Sequence, residues 1–231
     1  MPTTKVNGID LYFEEHGEGN PLLLVPGLGG TGSYWGPQIK TFSEKFRVVV
    51  HDHRGTGKST HDTSICYSVE QMAADLVGLM DALEIEKAHL LGHSTGGAIG
   101  QVVSIEHPNR LMSAVLYASW VKADRFMKNV FDVRKTLLRE SGGHAYARAT
   151  PIFLYPDWWI NANEVVLGEL ENSTVANFPP VDIAISRCDA VLNFDRQAEL
   201  SGIHVPTLVI CARDDFLTPM YCSQELAQKI P

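Results

Sequence analysis

The sequence predicts an α/β fold on a mostly parallel sheet, with helices on both faces and a helical insertion ahead of the last strand. Three observations predict it. Short apolar runs alternate with segments of helical period from Leu22 to Tyr117, the pattern of strands joined by crossover helices. One strand-to-helix junction carries Gly92-His93-Ser94-Thr95-Gly96, a G-x-S-x-G turn. The alternation then pauses between about residues 119 and 203, which are helical in pattern and rich in aromatics, and resumes at Val205.

Lys5-Val6 and Ile9 to Phe13 flank Asn7-Gly8, a two-residue turn pair that signals a hairpin. Leu22 to Val25 reads as a buried strand, and Gly27 to Gly32 as a glycine-rich loop behind it. Tyr34 to Ser43 is helical in pattern, followed by a strand from Phe46 to Val50. Ser68-x-x-Gln71 is a capping box opening a helix whose Val69, Met72, Ala73, Leu76, Met80 and Leu83 share one face. Ala88 to Leu91 is the strand before the serine turn. Ala98, Ile99, Val102 and Val103 follow at helical spacing until His107-Pro108, and Leu111 to Tyr117 is the next strand. Val205 to Cys211 and Pro219 to Ile230 resume strand and helix. These boundaries predict a core of residues 1–118 and 204–231 and a helical cap of residues 119–203. Insertions at the carboxyl ends of parallel strands are where lids and pockets are built.

Composition narrows the function class. The 231 residues are 45% hydrophobic and 20% charged, with no apolar run of membrane-spanning length. A net charge of −8 disfavours nucleic acid and anionic membranes as partners. The amino terminus runs directly into a strand pattern, without the apolar stretch of a signal peptide. Cys66, Cys188, Cys211 and Cys222 have no C-x-x-C spacing, so no zinc site or redox pair is expected. A cytoplasmic setting without cofactor or metal follows as the expectation.

The chemistry concentrates at Ser94. G-x-S-x-G between strand and helix is the nucleophile elbow, whose flanking glycines let strand and helix approach closely. An oxyanion needs two backbone donors. Thr95 follows the serine, and Leu28 lies in Pro26-Gly27-Leu28-Gly29-Gly30 after the Leu22–Val25 strand. Asp215 closes the loop after Val205 to Cys211, at the side of the sheet where a carboxylate would orient a histidine. Its neighbour Asp214 is expected to cap the turn. Asp52 to Thr60 contains Gly57-Lys58-Ser59, the end of a Walker A motif, but Asp52 stands where the first glycine is required. That segment is expected to be a structural loop. His51 and His53 are expected to be core or solvated residues rather than metal ligands. Phe153, Tyr155, Trp158, Trp159 and Phe178 are candidates for either cap core or pocket wall.

With Ser94, Asp215 and the glycine loop in this order, the chain resembles an α/β-hydrolase. Gly27 to Trp35, Arg54-Gly55-Thr56-Gly57, Gln71 to Asp75, Phe153-Leu154-Tyr155-Pro156 and Cys211 to Pro219 are similar to the aminoacrylate hydrolases of uracil degradation. The similarity to enol-lactone hydrolases and small carboxylesterases is looser. Pro26 departs from the histidine that many members place before this glycine. The resemblance implies Ser94 as nucleophile, Asp215 as acid, and Leu28 and Thr95 as oxyanion donors, acting on a small ester, lactone or aminoacrylate-like compound.

It also implies a histidine after one further strand, then a last helix. None of the nine histidines follows residue 204. The expectation is therefore a core lacking its last strand and helix, with the catalytic histidine beyond Pro231. Such a chain would have little activity of its own, and its Val205–Cys211 edge would be open to self-association. Two other readings stay open: a ligand receptor or interaction protein on a hydrolase scaffold, and cofactor-free lyase or perhydrolase chemistry.

Overall fold

The structure, a computed structural model, describes residues 2–231. Asn7 and Gly8 take φ values of 46° and 82° and join β1 (Thr3–Val6) to β2 (Ile9–His16) with Val6 opposite Ile9. Positive φ at both turn residues matches the twist of the flanking strands, which is why Asn-Gly encodes this hairpin. The strands β3 (Asn20–Val25), β4 (Phe46–His51), β5 (Ala88–His93), β6 (Leu111–Tyr117) and β7 (Thr207–Ile210) complete a seven-stranded sheet. Its order is β1-β2-β4-β3-β5-β6-β7. Pairing is parallel from β4 through β7 and antiparallel at β1/β2 and β2/β4.

Because the sheet is covered on both faces, its central strands are apolar throughout rather than alternating. In β3, Leu23 and Val25 join the larger core, while Leu22 and Leu24 pack with Trp35, Val48 and Val50 on the other face. The helix α1 (Gly36–Phe42) covers that second face through Ile39 and Phe42. On the first face, α2 (Val69–Ala82) begins where Ser68 Oγ accepts the Gln71 N–H at 3.0 Å, satisfying one orphan donor of the first turn. It packs beside α3 (Thr95–Glu106), whose Gly100 leaves room for Leu90 and Leu116.

Between β6 and β7 the chain makes only helices: α4 (Arg125–Leu154), α5 (Asp157–Ala162), α6 (Glu164–Ala176) and α7 (Val181–Asn193). The helix α4 is broken at Gly142, where φ is 76° and ψ is −175°. It packs against α6 and α7. After β7, α8 (Met220–Lys229) seats Leu226 in the core. Strand β7 is shorter than the predicted Val205–Cys211, and it starts only at Thr207 because Pro206 has no N–H to offer the ladder. It lies at the sheet edge with Leu208 and Ile210 exposed. Among the described residues no helix is long and apolar enough to cross a membrane.

Candidate active site

Ser94 sits between β5 and α3 with φ 54° and ψ −114°. For a non-glycine residue this conformation costs on the order of 1–3 kcal/mol and persists only where surroundings enforce it. They do. The Ser94 N–H donates to Tyr117 O at 2.8 Å, and Ser94 O accepts from Gly97 N at 2.8 Å, Ala98 N at 3.1 Å and Ser119 Oγ at 3.1 Å. The flanking glycines are steric requirements. A Cβ on Gly92 would lie 2.1 Å from Gly96 O, and one on Gly96 would lie 2.2 Å from Val25 O. The hydroxyl oxygen of Ser94 has no side-chain partner among the described residues.

The glycine loop closes on the serine from β3. A Cβ on Gly27 would stand 3.2 Å from Ser94 Cβ. Thr95 is fully buried as the first residue of α3, so its N–H is one of the unpaired donors of a helix start. Among the described residues, neither the Thr95 nor the Leu28 N–H donates to a protein acceptor. Two distant side chains brace the loop. Arg187 of α7 donates to Leu28 O at 2.7 Å and to Arg54 O at 2.8 Å. A His53 ring nitrogen lies 3.0 Å from Pro26 O. That contact anchors the loop at Pro26.

Asp215 follows β7 and accepts the Thr218 N–H at 2.8 Å and the Thr218 hydroxyl at 3.0 Å. Burial raises its carboxyl above the ordinary carboxylate range. Asp214 instead points outward and accepts the Trp158 indole N–H at 3.2 Å. The register aligns His93 with Tyr117 and Tyr117 with Ile210. The loops carrying Ser94 and Asp215 therefore leave the sheet at one level, two strands or roughly 10 Å apart.

No histidine of the described residues hydrogen-bonds either group. His51 Nε2 lies 3.1 Å from His53 Nδ1, and both rings are buried. His89 pairs with Ser113 at 2.8 Å, while His144 lies at the surface near Glu171. His93 stacks on Tyr34 with ring centroids 4.6 Å apart, and its buried Nδ1 has no partner. Burial holds His51 and His93 neutral, each with a pKa lowered to about 4. The unfolded chain would protonate both near pH 6.5, so it binds more protons and stability falls as pH drops from 6.5 toward 4. The expected loss at pH 5 is on the order of 2 kcal/mol per histidine. Asp52 and Asp215, raised by burial, oppose part of it. Urea unfolding at pH 7 and pH 5 reads the difference, and equal midpoints would contradict it.

A cavity of about 600 Å³ opens above Ser94. Its wall includes Leu28, Thr95 and Tyr34 from the sheet side and Tyr155 and Phe178 from the helical segment. The other cap aromatics differ. Trp159 stacks on Tyr155, Phe153 packs on the core, and Trp158 is exposed. The Asp52–Thr60 segment is a structural loop in which Asp52 accepts the Gly32 and Lys58 N–H groups, each at 2.8 Å.

Two wall residues escaped the sequence reading: Arg134 and Arg187. Both are buried. The visible signal was a charged residue on each apolar stripe, Met127, Val130, Phe131, Arg134 and Leu138 in α4, and Ile183, Arg187 and Val191 in α7.

Comparison with known proteins places the fold. A relative from Azorhizobium caulinodans, provisionally named carbamate hydrolase RutD, is 42% identical over all of this chain and 87% of its own length. One from Caulobacter sp. strain K31 with the same name is 40% identical over the same shares. The enol-lactonase of Burkholderia xenovorans LB400 superposes with a TM-score of 0.89 at 31% identity, over 99% of this chain and 88% of its own. The profile of the alpha/beta hydrolase fold matches residues 20–231. The chain therefore belongs to the α/β-hydrolase family and is an enzyme of the hydrolase class.

Proposed function

We propose that the chain hydrolyses a small carboxylic ester, lactone or aminoacrylate-like compound, with Ser94 as nucleophile and Asp215 as the acid. The names of its relatives, carbamate hydrolase and enol-lactonase, are consistent with acyl transfer to water. Residues 119–203 serve as the cap over the cavity, and the four free cysteines suit a cytoplasmic setting. The observation that carries the reading is the strained Ser94, whose hydroxyl faces a cavity beside two unpaired backbone donors.

In this reading Ser94 Oγ attacks the substrate carbonyl while an imidazole takes its proton. The tetrahedral oxyanion is held by the N–H groups of Leu28 and Thr95. The imidazole returns the proton to the leaving group, and a water then releases the acid by the same route. Asp215 orients that imidazole and stabilises its cation. The nine histidines of residues 1–231 leave this position to be filled.

Free imidazole tests the proposal. With residues 1–231 alone, hydrolysis of p-nitrophenyl acetate should be slow, of the order left when one triad member is missing. It should rise with added imidazole above the rate of the Ser94→Ala variant. Identical rates in the two proteins at every imidazole concentration would favour a non-catalytic ligand-binding role instead.

A further inference from the structure

Arg187 is 2% exposed and forms no ion pair among the described residues. Arg54, also buried, is neutralised by Asp75 at 2.6 Å. A buried charge without a counter-ion is expensive to maintain, so the hydrogen bonds of Arg187 must offset the cost. They go to backbone carbonyls: Nη2 donates to Leu28 O at 2.7 Å and Nη1 to Arg54 O at 2.8 Å. The guanidinium stands on a rigid element, because α7 seats Ala184, Cys188, Ala190 and Val191 in the core. The glycine loop is shaped around it. Gly30 has φ 76°, and a Cβ there would lie 2.6 Å from Arg187 Nη2.

The carbonyls of this loop are held one after another. Pro26 O lies 3.0 Å from His53 Nε2, Gly27 O accepts the Gly30 N–H at 3.0 Å, and Gly30 O accepts the His53 N–H at 2.7 Å. A trans peptide unit is planar, so its N–H points opposite to its C=O. The bond from Gly30 to Gly27 O therefore turns the Leu28 N–H the other way, and Arg187 holds the next peptide unit at Leu28 O. The Leu28 donor cannot swing without breaking a bond at one end or the other. We infer that Arg187 is a positioning residue for the hydrolytic reaction, fixing the direction of the Leu28 N–H in the wall above Ser94. A charged donor holds a carbonyl more strongly than a neutral one, and the planar fork of arginine reaches two carbonyls at once. The role of Leu28 as oxyanion donor rests on the proposed hydrolysis; the clamp itself rests on the two carbonyl bonds.

One-bond N–H dipolar couplings of the aligned, 15N-labelled protein read the direction of each backbone donor without any catalysis. In Arg187→Met the Leu28 coupling should change or average toward zero, while that of Thr95, held in α3, keeps its value. Acetylation of Ser94 by p-nitrophenyl acetate with added imidazole should fall about ten- to hundredfold. Arg187→Lys keeps the charge but loses the fork, and should recover part of both. An unchanged Leu28 coupling in Arg187→Met overturns the inference. So does a changed coupling with undiminished acetylation, or a Thr95 coupling that moves as far as that of Leu28. If Arg187→Met does not fold, Arg187→Lys decides, and unaltered coupling and rate in that protein overturn the inference. Absence of acetylation in the unsubstituted protein would defeat the hydrolase reading instead, and the Leu28 coupling would still decide whether Arg187 sets the donor's direction.

Discussion

Gly96→Ala is expected to destabilise the protein by at least about 3 kcal/mol or to prevent its folding. The new methyl would meet Val25 O at 2.2 Å and Pro26 O at 2.8 Å. Both belong to the backbone of β3 and its loop, which cannot step aside without breaking the sheet pairing of β3 with β5. Helix propensity pushes the other way, since alanine outranks glycine by about 1 kcal/mol in a helix, but overlap of this depth dominates. Gly168 in α6 is the control, because nothing lies within 4 Å of its added Cβ. Gly168→Ala should be neutral or stabilising by up to about 1 kcal/mol. Urea midpoints of the two variants decide it, and similar values for both would refute the steric account of the elbow.

The second large effect is Asp75→Ala. Asp75 receives Arg54 Nε at 2.6 Å and Arg54 Nη2 at 2.7 Å, and it also accepts from Asn7. Both members of the ion pair have side chains only 3% exposed. Removing the carboxylate strands a buried guanidinium, with a loss of about 3–5 kcal/mol. The Arg47–Glu15 pair has the same 2.6 Å separation but side chains roughly a third exposed, 32% and 34%. Water already screens that pair, so Glu15→Ala should cost less than about 1 kcal/mol. The two pairs share the Nε–carboxylate distance and differ in burial and in the number of bonds the carboxylate accepts, three of which at Asp75 come from Arg54 and Asn7. Comparable losses in the two variants would show that the Arg54–Asp75 pair does not hold α2 to the loop that precedes it.

What the sequence made legible was local. Asn7-Gly8 encodes its hairpin through backbone conformation, Ser68 caps α2 within one turn, and Gly92 and Gly96 mark a turn whose crowding lies within a few residues and one neighbouring strand. Asp214 and Asp215 could be distinguished only by position, and the structure separates them by direction, one outward to Trp158 and one inward to Thr218. The braces of the glycine loop were out of reach. Arg187 meets Leu28 across 159 residues of chain and Arg54 across 133, and no periodicity reports such a contact. Arg134 was half visible as a charge on an apolar stripe, and placing it on the cavity wall needed the packing of α4 against α7.

The most direct measurement of the central claim is where an acyl group lands. Residues 1–231, exposed to p-nitrophenyl acetate with imidazole present and then digested for tandem mass spectrometry, should carry one acetyl group on Ser94. Deacylation is slow once the imidazole has been removed by gel filtration ahead of digestion, so the ester should survive it. An acetyl group distributed over surface lysines, with Ser94 unmodified, would contradict the assignment of Ser94 as the nucleophile.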